Sequence, residues 1–273
     1  MKTHTRVAII QMRSDLDKYA NLARAKELIA KAASDRAELI GLPEMFNCLG
    51  SYDQMFGSAE KIPGDTTNWI SELAREYRVY IHGGSIYEKI ENSDRVYNTS
   101  VIVAPSGDIV AKYQKIHLFD VELPNEFSSC ESKWVAPGEN VVTLETLFGT
   151  IGLSICYDLR FPELFRQLAD KGAQLIFVPS AFRSTTGSAH WEVLLRSRAI
   201  ENQAYVLAPN QWGEHQGEMS NYGNSMIVNP WGEIIARAGS ESDSILAVDV
   251  NLEDLERIRS QLPALKHRRI HSS

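Results

Sequence analysis

The sequence predicts an α/β fold with mixed sheets, and three observations predict it. Short runs rich in β-branched residues alternate along the chain with longer segments whose apolar residues recur at helical spacing. Two hairpin-like segments share one pattern, Pro-x-Gly-acid-Ile-aliphatic-Ala-base, so antiparallel pairs accompany strands that helices connect. No Gly- or Ser-rich stretch is long enough to be a linker, so residues 1–273 are expected to form one domain.

In chain order, "RVAIIQM" (6–12) reads as a buried strand. Residues 15–35 then carry Leu16, Tyr19, Leu22, Ala25, Leu28, Ile29 and Ala32 as a helical stripe. "AELIGLPE" is a short strand closed by Pro43, which biases Leu42 toward extended geometry. "DTTNWISELAREY" reads as a helix capped by Asp65 or Thr66. "VYIHGGSIYE" and "RVYNTSVIVA" return to strand. "APSGDIVAKY" (104–113) and "NPWGEIIARA" (229–238) are turns between antiparallel strands, because proline presets φ and glycine takes the positive φ that closes the turn. They are either two independent hairpins or markers of two similar halves. "TIGLSICY", "AQLIFVPS", "AYVLAPN" and "NSMIVNP" supply the later strands, with helices at 162–172, opened by Pro162, and 187–203.

Composition bounds the function. A formal charge of −7 argues against nucleic acid or an anionic membrane as main partner. Cys48, Cys130 and Cys156 are odd in number and lack C-x-x-C spacing, so neither a disulfide framework nor a zinc site is signalled, and the histidines show no metal-ligand spacing. No metal or cofactor is expected. The apolar run in "MKTHTRVAIIQM" is too short for a signal-peptide core or a spanning helix, so a cytoplasmic setting is expected.

Three chemistry-bearing residues follow apolar runs: Glu44 after "ELIGLP", Lys115 after "IVAKYQ" and Cys156 after "TIGLSI". The ends of strands are where open α/β sheets place ligand crevices. Cys156, at the handover toward a helix near Pro162, suits a nucleophile with backbone N–H groups beside it. A thiol there needs a base to take its proton and a cation to hold the charge. Each residue also has an ordinary use, as packing for the cysteine, a loop acid for Glu44 and a solvated edge lysine for Lys115.

"GLPEMF", "KYQKIHLFD" and "GLSICYDLRFPEL" together resemble the three signature segments of the nitrilase, or carbon–nitrogen hydrolase, superfamily. "CESKWVAPG", "PSAFRSTTGSAHWEVLLRSRAIENQAYV", "YGNSMIVNPWG" and "LPALKHRR" extend the resemblance from about residue 5 to 270, and it is strongest to the Nit subfamily of omega-amidases and deaminated glutathione amidases. The resemblance implies a four-layer α-β-β-α sandwich, a homodimer or higher homo-oligomer, and a small-molecule amide as substrate. It implies a triad of Glu44, Lys115 and Cys156, with Glu131 as a second acid keeping Lys115 charged. The Tyr157 backbone N–H would complete the oxyanion site, and attack by Cys156 on an amide carbon would give a thioester.

By the same resemblance Arg160, Phe182 and Thr186 contact substrate, Arg160 suiting a carboxylate. Arg160 could equally pair with Glu163 or Asp158. Tyr52 lies in a loop that relatives use near the pocket, but reads as a surface tyrosine. "APNQWGEH" and "LPALKHRR" look more like the deaminated glutathione amidases, with Trp212 and His215 expected to border a long pocket. Asn224 stands where many relatives carry histidine and bears on loop packing. The basic tail crosses to a partner or is solvated. The alternatives are an omega-amidase on 2-oxoglutaramate or 2-oxosuccinamate, another small-amide or nitrile hydrolase, a papain-like hydrolase using His117 or His190, and a non-catalytic relative that binds a metabolite or partner.

Overall fold

A computed structural model describes residues 2–124, 127–215 and 219–270. Strand His4–Gln11 shows how the layers arise from period-two alternation. Val7 and Ile9 point into one apolar cluster, Ala8 and Ile10 into another. The first cluster joins this sheet to a second sheet, and the other joins it to helices Lys18–Ser34 and Asp65–Tyr77. Helices Pro162–Asp170 and Ser184–Asn202 contribute Leu164, Phe165, Leu168, Trp191 and Leu195 to the cluster of the second sheet. The result is the α-β-β-α sandwich.

The two sheets repeat one topology. In the first, Ser244–Asn251, His4–Gln11, Leu39–Gly41, Tyr80–His82, Val96–Val103 and Ile109–Gln114 are successive neighbours, with Ile86–Lys89 also pairing with Val96–Val103. In the second the series is Thr143–Thr146, Gly149–Leu153, Leu175–Phe177, Tyr205–Ala208, Met226–Val228 and Ile234–Arg237. Both run antiparallel, parallel, parallel, antiparallel, antiparallel. The two similar hairpins occupy matching places, and each carries an irregular register just before its turn. Gly107 and Gly232 close those turns at φ of 86° and 89°. The shared hairpin chemistry therefore marks two similar halves.

Several boundaries differ from expectation, for physical reasons. The Asp65–Tyr77 helix has Gly64 at its N-cap, whose N–H donates to Thr67 Oγ1 at 2.8 Å, so neither Asp65 nor Thr66 caps it. "VYIHGGSIYE" is two strands, because Gly83-Gly84 breaks it between Tyr80–His82 and Ile86–Lys89. The strand in "TIGLSICY" ends at Leu153, and Cys156 instead opens a 3-10 turn, Cys156–Arg160. Residues 244–251 and 252–261, unassigned from sequence, form a strand and a helix. Where the sheets meet, the His82 ring stacks on Phe177 with centroids 4.2 Å apart.

Candidate active site

Each reactive side chain sits just past a strand end. Glu44 stands three residues after Gly41, Lys115 one after Gln114, and Cys156 three after Leu153. Gly84, at φ 55°, lets the chain pass the Glu44 loop, since a Cβ there would lie 1.9 Å from the Pro43 carbonyl oxygen. Cys156 itself has φ of 45°, a left-handed conformation uncommon for a residue with a Cβ. Its N–H donates to the Pro179 carbonyl at 2.9 Å. Asp158, fully buried, pins this turn by accepting from the Ile155 N–H (2.9 Å), the Tyr113 hydroxyl (2.6 Å) and the His117 N–H (3.0 Å). It thereby ties the cysteine turn to the segment that carries Lys115.

Glu44, Lys115 and Glu131 are all nearly inaccessible, and Lys115 Nζ lies between the two acids. It donates to Glu44 Oε1 at 3.2 Å and to Glu131 at 3.1 and 2.9 Å. Burial alone would lower the Lys115 pKa, but Glu131 and Glu44 outweigh it and hold the ammonium well above its ordinary value. Glu131 also accepts from the Phe119 N–H at 2.6 Å. Glu44 accepts from Asn98 Nδ2 at 2.9 Å on one oxygen and from the Ala181 N–H at 2.8 Å on the other. Burial pushes the Cys156 thiol well up, the facing Glu44 carboxylate adds to this, and Lys115 opposes it. A thiol beside a fixed carboxylate and a fixed ammonium can lose its proton as it attacks, with the ammonium at hand for new negative charge.

These groups line one cavity of about 260 Å³, together with Tyr157, Arg160, Phe182, Thr186 and Tyr52. So the structure brings the triad, Glu131, Tyr157 and the three expected substrate contacts to one place. Tyr52, read as a surface residue, lines the cavity and bonds Ser129 Oγ at 2.9 Å. Arg160 makes neither expected ion pair. Among the described residues no carboxylate pairs with it; its guanidinium lies over the Tyr157 and Phe182 rings and meets His190 Nδ1 at 3.2 Å.

Trp212 and His215 do not border the cavity: the indole donates to Asp243 at 2.6 Å, and His215 Nδ1 lies 2.9 Å from the Ser14 carbonyl. His117 is engaged by Asp158 and stacked on Phe161, and His190 meets Arg160; neither lines the cavity that holds Cys156, which removes the papain-like reading. Asn224 also lies away from the cavity. Its carbonyl accepts from Trp191 Nε1 at 2.8 Å and its side chain from Arg237, a loop-packing role. In the basic tail Arg268 pairs with Asp170 of the same chain, Nη2 to Oδ2 at 3.0 Å.

Sequence reasoning missed Asn98, Asp158 and Arg183. All three act across strand or loop contacts that local pattern does not encode. Among the described residues no group of three His, Cys, Asp or Glu side chains could hold a metal ion, and no helix is long and apolar enough to cross a membrane.

A sequence profile described as carbon-nitrogen hydrolase matches residues 6–260. The chain belongs to that family. This carbon–nitrogen hydrolase is 42% identical to human omega-amidase NIT2 over 267 residues, 98% of this chain and 96% of the relative. Its fold matches the crystal structure of Saccharomyces cerevisiae Nit3, a member of branch 10 of the nitrilase superfamily, with a TM-score of 0.90 and 36% identity, over 99% of this chain and 98% of that one. It also matches a variant amidase from Nesterenkonia sp. AN1, with a TM-score of 0.82 and 27% identity, over 98% of this chain and 95% of that one. In that structure the acetamide moiety of fluoroacetamide is added covalently at the active-site cysteine.

Proposed function

We propose that this carbon–nitrogen hydrolase is a thiol amidase acting on the linear amide of a small 2-oxo acid, with 2-oxoglutaramate or 2-oxosuccinamate as substrate. The observation that carries the reading is the Cys156 thiol in one buried cavity with a doubly anchored carboxylate, Glu44, and an ammonium held charged, Lys115. The relatives at about 40% identity named omega-amidases support this choice over the deaminated glutathione amidase expected from "APNQWGEH". Trp212 and His215 lend that expectation no support, because both are engaged outside the cavity.

In this mechanism Glu44 takes the Cys156 proton as Sγ bonds to the amide carbon. The oxyanion meets Lys115 Nζ and the Tyr157 N–H. Collapse breaks the C–N bond, and the leaving nitrogen takes the proton from Glu44. Glu44 then removes a proton from water, whose oxygen attacks the thioester carbon, and the departing sulfur recovers that proton. Glu131 keeps Lys115 charged and oriented, Arg160 holds the 2-oxo acid carboxylate, and Phe182 and Thr186 flank the chain.

Ammonia release from 2-oxoglutaramate tests the reading. We expect turnover by the wild type and none by Cys156→Ala with an unchanged circular dichroism spectrum. Full activity in Cys156→Ala, or hydrolysis of simple alkyl amides in preference to 2-oxo acid amides, would overturn it. Deaminated glutathione is retained as a second reading because the cavity carries a second arginine, Arg183.

A further inference from the structure

Arg183 follows Phe182 at the entry to helix Ser184–Asn202 and lines the same cavity as Cys156. Its guanidinium is only partly exposed and lies over the Phe127 ring, 5.3 Å from the centroid. The cavity holds two carboxylates, Glu44 and Glu131, and both are engaged by Lys115. Among the described residues no carboxylate pairs with Arg160 or with Arg183, so two arginines line the cavity without an acid partner. Burial lowers the Arg183 pKa from its ordinary value, with Tyr52 and Cys156 opposing, and all three residues line the cavity. A partly desolvated guanidinium with free donors is suited to receive a carboxylate. Arg160 lies over Tyr157 and Phe182, and Arg183 over Phe127, so the two guanidiniums are held against different rings.

We propose that Arg183 is a substrate-specificity residue that binds a second carboxylate, carried on the amine side of the scissile amide, so that the cavity accepts dianionic amides as well as primary ones. The inference rests on the reading of Arg160 as the site of the 2-oxo acid end. It is separable from the choice of physiological substrate.

The test is ligand affinity in Cys156→Ala protein, which cannot turn over. The probes are deaminated glutathione, whose glycyl end supplies the second carboxylate, and the same molecule with that carboxylate converted to a carboxamide. We expect the dianion to bind on the order of tenfold more tightly, the scale of a charge-assisted hydrogen bond. Arg183→Gln in the same background should bring the ratio of the two affinities near one, and Arg183→Lys should keep part of it. Arg160→Gln should weaken both ligands and preserve the ratio. A ratio near one before any change at Arg183, or a ratio that survives Arg183→Gln or collapses in Arg160→Gln instead, would overturn the assignment. Loss of 2-oxoglutaramate turnover would count against the proposed function alone, because this ratio is read without catalysis.

Discussion

At the scale of single residues, the site solves a problem of charge. Cys156 is half-buried, and desolvation of its sulfur raises the thiol pKa and favours the neutral form. In the proposed mechanism its proton leaves during attack, and the acceptor, Glu44, is held in place by Asn98 and the Ala181 N–H. Lys115→Ala removes one charged donor and leaves Glu44 and Glu131 facing each other without a cation. We expect kcat to fall on the order of 10²-fold or more, the scale for losing one oxyanion donor. Near-wild-type turnover in that variant would rule out Lys115 as an oxyanion partner. Glu131→Gln should impair turnover more mildly, because two acceptors for the ammonium remain while the negative charge is lost. Thiol labelling needs care. Cys130 is exposed and Cys48 buried, so iodoacetamide should modify Cys130 as well as Cys156. Activity should follow the extent of Cys156 modification, and Cys130→Ser should keep turnover. Loss of activity on modification of Cys130 alone would move the nucleophile.

At the scale of elements, positions past strand ends turn sheet geometry into site geometry. The Glu44 loop and the Gly83-Gly84 break lie so close that only a residue without a Cβ fits at 84. Gly84→Ala must adopt φ of 55° and push the Pro43 carbonyl away, shifting Glu44 from the thiol. We expect a loss of about 1–3 kcal/mol in stability and at least tenfold in kcat/KM, read by urea unfolding and ammonia release. A stability loss with unchanged kcat/KM would show that the loop adapts without moving Glu44. The same elements explain what the sequence made legible. Strong periodicity located the buried strands and the long helices, and Pro162 marked a helix start that the structure keeps. Strand Ser244–Asn251 was missed although Ile245, Leu246, Ala247 and Val248 form an apolar run; it lies at the sheet edge, and its residues are mostly half-buried. The Cys156 turn read as strand because its apolar run continues through Ile155, although the pairing stops at Leu153. Arg183 carried no local signal, since its place depends on Phe127 and on two acids already taken by Lys115.

At the scale of the whole molecule, the sandwich depends on burying groups that must stay neutral. His82 is fully buried where the sheets meet, against Phe177 and with Nε2 3.1 Å from Ser100 Oγ. Burial drops its pKa to about 3. His215, packed against the Ser14 carbonyl and near Arg13 and Arg183, falls to about 4, also chiefly through burial. Unfolding returns both to the ordinary value of about 6.5. Between the folded and unfolded pKa values the unfolded chain binds more protons, so stability rises with pH there. The contribution is complete above about pH 6.5 and is lost as pH falls toward the folded values. From pH 6.5 to 5 the slope should approach ~1.4 kcal/mol per pH unit for each histidine. Ordinary carboxylates titrate mostly below that window; Glu131, whose pKa burial raises, works against the slope, so the histidine share is read from the His82 variant. Urea midpoints measured across it should decline as the solution is acidified, and His82→Gln should flatten the decline by about half while lowering stability at pH 7 through lost packing on Phe177. A flat profile in the wild type, or an undiminished slope in His82→Gln, would mean that protonation of the group between the sheets does not limit the fold.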